Sequence, residues 1–234
     1  MYKFITYLLT TSLVISGAMS LLSGAPIGQS VGGGRCAVAN SGLCTTVAGA
    51  TTVTFDNVAS GVTSYQFGIA TYTWGATPRS PFVTVPDVID QYKAPLGDAT
   101  AYLSVGSGNG RPATVDIDFS QPVNYFGFYI GSPDTYNHVT FTQKGGVTTT
   151  ISGANLLLPL LFRADGYQGD GLFLDFTSSD GFTRVSFVST TAALETDNHA
   201  FSSAVPEPST YALMGVGVVA LGVVRFRRRA SRCA

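Results

Sequence analysis

Few residues of this sequence combine the types and spacing that catalysis requires. The chain has two histidines, His138 and His199, and neither lies in a nucleophile motif or at the spacing of metal ligands. Both are expected at the surface of a sheet. Asp116 and Asp118 share one face of a predicted strand and could resemble the paired carboxylates of a glycosidase. The alternation of apolar and acidic residues around them favours a solvated strand face instead. The sequence therefore predicts a protein that is not an enzyme.

The cysteines suggest one disulfide. Cys36 and Cys44 lie close together in sequence, and an oxidising compartment would allow them to close a small loop. Cys233 follows the arginine-rich segment 225–229 and is expected on the reducing side of a membrane. The alternative is that Cys36 and Cys44 remain separate thiols in a flexible leader.

The segment between Pro26 and Ala204 is acidic. It contains 7 basic and 13 acidic residues, for a net charge of −6. Because such a field repels a phosphate backbone, we expect no nucleic-acid partner, whereas cations and neutral sugars remain compatible with it.

Three of the acidic residues are candidate calcium ligands. Carboxylate oxygens suit calcium better than a transition metal. The terminal strands of many sandwiches are neighbours, which would bring Asp56 opposite Glu195 and Asp197. The sequence thus predicts a weak calcium site, with solvated strand ends as the alternative.

Strands are the elements that must position these residues. Apolar residues recur with period two between short turn segments, which is the pattern of β-strands. The predicted strands are residues 51–58, 113–119, 123–130, 138–142, 147–151, 172–176, 183–188 and 194–201. Turn residues at 144–146 and 179–181 predict two hairpins.

This pattern predicts an all-β fold, an antiparallel β-sandwich of jelly-roll or immunoglobulin-like kind, over residues 51–204. Residues 26–50 are predicted to form a flexible leader. On the strand over 123–130, one set of alternating residues should fill the core. The other set, Tyr125 and Tyr129, could stack against sugar rings on an exposed face.

The front of the chain, residues 1–25, has the features of a signal peptide. Lys3 precedes an apolar stretch over residues 4–15, and small residues follow. We expect cleavage between Ala18 and Ala25. The alternative, a retained helical anchor, requires a longer apolar run than this one.

The back of the chain, residues 205–234, combines three segments. Pro206, Glu207 and Pro208 favour an extended, accessible backbone. Residues 211–224 predict a transmembrane helix of about 21 Å, which is short against a hydrocarbon core of about 30 Å. The positive-inside rule keeps the arginine cluster that follows on the cytoplasmic side. Its members are Arg225, Arg227, Arg228 and Arg229.

This tripartite tail resembles the PEP-CTERM sorting signal. The resemblance implies that Pro206, Glu207 and Pro208 are the motif recognised by exosortase, a membrane-embedded processing enzyme. It also implies a Gram-negative bacterium that exports polysaccharide, and removal of the tail during sorting. The alternative is an ordinary C-terminal anchor that is never processed.

A second resemblance covers roughly residues 51–201. Residues 121–137 and 194–201 look like a β-sandwich family of exosortase-dependent surface proteins, except that His199 stands where an aliphatic residue is expected. That resemblance implies a location and no particular chemistry.

Together these observations predict a non-catalytic, exported surface or extracellular-matrix protein. Its precursor would be anchored in the inner membrane, and exosortase would then transfer it to the cell surface or the medium. The first alternative is a carbohydrate-binding module that acts in the exopolysaccharide matrix. The second is a polysaccharide-active hydrolase.

Overall fold

The computed structural model describes residues 24–59, 61–74, 82–84, 87, 91–106, 112–131, 133–156, 171–191 and 193–203. The predicted signal peptide, except for residues 24 and 25, lies outside these ranges. So do the predicted sorting motif, transmembrane helix and arginine cluster.

The described residues form thirteen strands and one 3-10 turn, Gly153–Asn155. The strands are β1 (Gly28–Gly32), β2 (Gly34–Arg35), β3 (Leu43–Cys44), β4 (Thr51–Val53), β5 (Ser64–Phe67), β6 (Ala70–Thr73), β7 (Phe82–Thr84), β8 (Tyr102–Val105), β9 (Ala113–Ile130), β10 (Asn137–Gln143), β11 (Thr148–Ser152), β12 (Leu172–Ser189) and β13 (Leu194–Ser202). The predicted all-β class is confirmed.

Eleven of these strands form one antiparallel sheet. Its main path is β11-β10-β12-β9-β13-β8-β7. In addition, β1 pairs with β12, β4 with β13, β6 with β9, and β5 with β6. Strands β2 and β3 form a separate two-stranded pair. The antiparallel arrangement is confirmed, and the jelly-roll or immunoglobulin-like order of the strands stays a prediction.

The long strands β9 and β12 fold this sheet over on itself. Phe187 pairs with Val115 near one end of β9, and Leu174 pairs with Phe128 near the other. Positions 115 and 128 of a straight strand would lie about 43 Å apart. The rings of Phe128 and Phe187 are nevertheless 4.9 Å apart. The two halves of the sheet therefore face each other across one core.

That core is rich in phenylalanine. Phe126, Phe128, Phe141, Phe176 and Phe187 are all fully buried. Phe128 stacks on Phe176, and Phe141 packs 4.6 Å from Phe176 between ring centroids. Each such side chain contributes about 1.5–3 kcal/mol through removal of apolar surface from water.

Strand boundaries differ from the predicted ones where the sheet bends. The segments predicted as strands 113–119 and 123–130 are one strand, β9, and the segments 172–176 and 183–188 are one strand, β12. The hairpin predicted at residues 179–181 is wrong, because both halves of β12 pair with β9 and not with each other. The hairpin predicted at 144–146 is confirmed by the pairing of β10 with β11.

Residues 26–50 do not form the flexible leader that the sequence predicts. Gly28–Gly32 pair with Phe173–Thr177 of β12 along the main sheet. The physical reason lies in two glycines with positive φ, Gly33 and Gly42. A Cβ atom at Gly33 would overlap Phe173, and one at Gly42 would overlap the ring of Tyr129. Glycine thus lets this backbone lie directly on the aromatic side chains of the sheet.

No helix in the described ranges is long and apolar enough to cross a bilayer. The helix predicted over residues 211–224 lies outside those ranges.

Candidate functional site

A disulfide-closed loop marks the most distinctive surface of the domain. Cys36 and Cys44 are joined by a disulfide, with their Cα atoms 5.0 Å apart. The short strands β2 and β3 pair at the base of this loop, Gly34 with Cys44 and Arg35 with Leu43. We refer to residues 36–44 as the disulfide loop.

The segment that contains the disulfide loop covers the outer face of β9. Tyr125 and Tyr129 are only 1% and 2% exposed, and with Phe173 and Ala200 they form a second apolar cluster. Leu43, Val47 and Ala50 pack against that cluster. The tyrosines therefore do not form the exposed sugar-stacking face that the strand alternation suggested, because residues 43–50 lie over them.

Hydrogen bonds fix both tyrosines in place. The Tyr125 hydroxyl donates to Asp175 Oδ1 at 2.6 Å and lies 2.7 Å from Thr45 Oγ1. The Tyr129 hydroxyl donates to the carbonyl oxygen of Leu96. Burial raises the pKa of Tyr129 to about 12, so its hydroxyl stays protonated at neutral pH.

A cleft of about 480 Å³ lies between the disulfide loop and the turn at Leu96 and Gly97. Its walls include the exposed side chains of Val38 and Leu96 and the cation Arg35. The residues that line it include no carboxylate in the described part of the chain. These described lining residues do not supply the converging acids that glycoside hydrolysis requires.

Strand β13 contains an irregularity that separates two environments. Its pairing with β9 shifts between Asp197 and Ala200, and Asn198 has a φ of 51°. An extra residue of this kind reverses the alternation of side chains along a strand. As a result, His199 points into the core, whereas Asn198 points towards the disulfide loop.

His199 is a core residue and not the sheet-surface residue that we predicted. It is fully buried, and its ring stacks on Phe187 with centroids 5.0 Å apart. Its ring nitrogens lie 3.2 Å from the Tyr72 hydroxyl and 2.9 Å from Thr196 Oγ1. Burial lowers the pKa of His199 to about 3, so the ring is neutral at physiological pH. His199 thus fills the space of an aliphatic residue while satisfying two hydroxyl groups.

Four buried polar side chains meet beneath the disulfide loop. Ser41 and Asp98 are partners in an isolated β-bridge. Asn198 donates from Nδ2 to the carbonyl oxygens of Ser41 and Leu43, at 2.6 and 3.1 Å. Asp197 precedes Asn198, and its carboxyl group lies within hydrogen-bonding reach of the Asp98 carboxyl group. We name Ser41, Asp98, Asp197 and Asn198 the loop-base cluster.

Electrostatics in the loop-base cluster are unfavourable for charged acids. Asp197 is 0% exposed, and burial is the main cause that raises its pKa well above the ordinary range. The Asp98 carboxylate raises the pKa of Asp197 further, by repulsion and by hydrogen bonding to its protonated form. Two adjacent buried carboxylates need a compensating positive charge or a shared proton.

Of the three predicted calcium ligands, the structure assigns Glu195 and Asp197 to different neighbours. Glu195 Oε1 accepts a hydrogen bond from the Lys93 backbone N–H at 3.2 Å, and burial raises its pKa to about 8. Asp56 accepts a bond from the Ala101 backbone N–H at 3.1 Å, and its charge contributes to the raised pKa of Asp197. The described residues contain no group of three His, Cys, Asp or Glu side chains that could hold a metal.

Sequence reasoning missed Asp98, which lies outside the strand pattern. Asp98 Oδ1 accepts hydrogen bonds from the backbone N–H and the hydroxyl of Thr100, at 2.9 and 2.7 Å. The Asp-x-Thr spacing is the available indication of that turn. It does not reveal that the turn lies against Asp197.

The possible glycosidase pair is engaged in structural contacts. Asp118 forms an ion pair with Arg184 at 2.7 Å, and both side chains are about half exposed. Asp116 accepts a hydrogen bond from the Ser186 hydroxyl. These contacts connect neighbouring strands on an outer face of the sheet, as the solvated-face interpretation expects.

The similarity of this chain to known proteins lies mainly in its C-terminal tail. A search of curated proteins finds no match to this chain. Among solved structures, the K1 cleaved adhesin domain of Lys-gingipain from Porphyromonas gingivalis W83 is similar at a TM-score of 0.39 and 10% identity. That similarity covers 67% of this chain and 99% of that chain, and it is too distant to inform function.

The family model for the PEP-CTERM protein-sorting motif matches residues 204–229. The match includes all of the predicted sorting residues, namely Pro206, Glu207, Pro208, Arg225, Arg227, Arg228 and Arg229. The motif implies processing by exosortase and an exported, membrane-anchored precursor that is sorted to the cell surface. The chain carries a PEP-CTERM protein-sorting motif at residues 204–229.

Proposed function

We propose that this protein is a non-catalytic surface or extracellular-matrix protein that exosortase sorts. The observation that carries the proposal is the match of the PEP-CTERM motif to residues 204–229. The rest of the chain supports it with a disulfide-containing β-domain, a construction suited to an oxidising compartment outside the cytoplasm.

The order of events follows from the arrangement of the segments. Residues 1–25 direct export, and residues 211–224 hold the precursor in the inner membrane of a Gram-negative bacterium. The arginines at 225 and 227–229 keep the end of the chain in the cytoplasm. Exosortase then acts near Pro206, Glu207 and Pro208, and the domain passes to the cell surface or the exopolysaccharide layer.

The described residues support the non-catalytic part of the proposal. His199 is a neutral core side chain, and Asp118 is paired with Arg184. Asp98 and Asp197 converge, but they are 9% and 0% exposed and are not among the residues that line the cleft beside the disulfide loop. A hydrolase would need two accessible carboxylates on either side of a sugar bond.

Binding of exopolysaccharide would require a surface other than the outer face of β9. Tyr125 and Tyr129 are buried, so they offer no stacking surface to a sugar ring. Pull-down of the exported protein with the host's own exopolysaccharide would separate a bound matrix component from a protein that only resides in the layer.

Tail variants test the sorting proposal in the host. We expect Glu207→Ala, and a variant with alanine at Arg225, Arg227, Arg228 and Arg229, to reduce the surface-exposed fraction about tenfold or more. The melting temperature should stay unchanged, because the described core of the domain is formed by other residues. Cell fractionation with immunodetection measures the first quantity, and thermal melts of the extracted protein measure the second.

Lys144→Ala is the matched control, because it removes an exposed cation from the β10–β11 turn and leaves the tail intact. Wild-type surface levels for both tail variants would refute exosortase sorting. Loss of surface protein with the control variant would show that the assay responds to any loss of positive charge.

A further inference from the structure

The loop-base cluster contains polar oxygen atoms that the described residues leave without a hydrogen-bond partner. They are Ser41 Oγ, Asp98 Oδ2, Asp197 Oδ1, Asp197 Oδ2 and Asn198 Oδ1. The four side chains are between 0% and 9% exposed, so solvent does not satisfy these atoms. Native structures rarely leave buried polar atoms unpaired, and five in one place require a common explanation.

Three contacts bring the four residues of the loop-base cluster together. The β-bridge places Ser41 beside Asp98, and the hydrogen bond from Asn198 Nδ2 to the Ser41 carbonyl places Asn198 beside Ser41. The Asp98 and Asp197 carboxyl groups interact directly. The four side chains that carry these oxygen atoms are therefore neighbours between the disulfide loop, the Asp98 turn and β13.

Two sources of positive charge could balance the two carboxylates. One proton shared between Asp98 and Asp197 would pair two oxygens and leave the remaining acceptors unsatisfied. A divalent cation balances the charge of both carboxylates and can bind several of the five oxygens at once. The number of unpaired atoms favours the cation.

We propose that Ser41, Asp98, Asp197 and Asn198 form a calcium site that fastens the disulfide loop to β13. This site belongs to the described domain and is independent of the sorting motif at residues 204–229. Asp197 is the ligand that this site shares with the calcium site predicted from the sequence.

The donor set selects calcium among common cations. All five atoms are hard oxygen donors, which suit calcium or magnesium and not zinc or copper. Magnesium keeps several waters and demands near-octahedral geometry, whereas calcium accepts six to eight oxygens in irregular arrangements. Buried protein oxygens from three separate segments suit calcium better.

Supporting contacts hold the ligands in position. Thr100 donates two hydrogen bonds to Asp98 Oδ1, the carboxylate oxygen that is not a proposed ligand. The carbonyl groups of Ser41 and Leu43 accept hydrogen bonds from the Asn198 amide. Asn198 Nδ2 also lies 3.4 Å from Cys36 Sγ. The cation would therefore rigidify the disulfide loop through Ser41 and Asn198, and its affinity should fall in the range of extracellular calcium modules, about 0.1–1 mM.

Thermal melts of the full chain test the proposal, with the protein purified under oxidising conditions in mild detergent. The probes are calcium chloride and magnesium chloride, each at 5 mM against EGTA at pH 7.5. We expect calcium to raise Tm by about 3–8 °C and magnesium to raise it much less. No shift with calcium would overturn the site, and an equal shift with both ions would overturn its selectivity for calcium.

Asp197→Asn separates a calcium ligand from a merely structural residue. We expect this variant to lose the calcium shift and to melt in EGTA at or above the wild type, because it removes one of two repelling charges. A lower Tm in EGTA together with a retained calcium shift would contradict the proposal. Asp118→Asn, the same substitution at an exposed carboxylate, should retain the full shift.

Ser41→Ala removes one ligand without changing the charge. Isothermal titration with calcium chloride should show an affinity about tenfold weaker than that of the wild type. If instead the wild type binds no calcium and gains stability between pH 7.5 and pH 5, a shared proton explains the cluster and the calcium site is refuted.

Discussion

Tyr125 shows how single residues attach the front of the domain to the sheet. Its hydroxyl donates to Asp175 Oδ1 and contacts Thr45 Oγ1. We expect Tyr125→Phe to lower the free energy of unfolding by about 1–2 kcal/mol, because a partly buried carboxylate loses a charge-assisted hydrogen bond. Denaturant melts at pH 7.5 measure the change. Tyr65→Phe is the matched control, since that ring packs on Phe67 and Tyr72 and its hydroxyl has no described hydrogen-bond partner.

The same variant carries a pH dependence of known sign. Burial raises the pKa of Asp175, and the Tyr125 hydroxyl lowers it by stabilising the charged form. The stability that Tyr125 contributes is therefore present above the raised pKa of Asp175 and is lost as the pH falls through that pKa and Asp175 is protonated. The difference between the wild type and Tyr125→Phe should shrink from pH 7.5 to pH 4. A difference that is constant or larger at pH 4 would contradict this role of Tyr125.

Single residues also show where sequence reasoning reaches its limit. The inward set of β9, Phe126, Phe128 and Ile130, was predictable from period-two alternation. The burial of Tyr125 and Tyr129 was not, because it depends on a glycine-rich segment far away in sequence. His199 was misplaced for a related reason, since the irregularity at Asn198 reverses the alternation that the prediction extended along β13.

The disulfide loop is short in sequence, but it contacts strands that are distant in sequence. Cys36 and Cys44 are 8 positions apart, and a loop of that length should contribute about 2–3 kcal/mol in the chain-entropy account. We expect a variant with serine at both positions to lose about this much stability. Hydrogen exchange should show loss of protection in residues 36–44 and near Asp98, with β9 and β12 still protected.

Cys233→Ser is the control for that experiment, because Cys233 lies in the tail and should not affect the domain. Mass mapping without reduction gives an independent check on exported protein. If both Cys36 and Cys44 react with an alkylating reagent, the disulfide loop does not exist in the exported protein.

At the scale of elements, local patterns and long-range pairing were predictable to different degrees. The β10–β11 hairpin follows from its Gly145 and Gly146 turn, because both residues adopt positive φ. The bending of β9 and β12 around the core could not be predicted from local sequence patterns, because it results from pairing between segments that are distant in sequence. The residues at 179–181 have the same composition as a hairpin turn, although they lie within a bent strand.

At the scale of the whole molecule, different parts of the chain direct sorting and stabilise the domain. The domain gains its stability from one aromatic core and from a disulfide loop fastened over the outer face of β9. The sorting motif at residues 204–229 follows β13, the last described strand of the domain, in the sequence. That separation is why we expect changes in the tail to alter location without altering folding, and changes in the core to do the reverse.

Intact-mass measurement of the envelope protein tests the central claim most directly. The protein should be isolated from a host with exosortase and, as the control, from the same host without it. We predict that the first sample lacks the arginine cluster and Cys233 and ends near Pro206–Pro208, while the second retains the full tail. A chain that still extends to Ala234 in the host with exosortase would contradict the account.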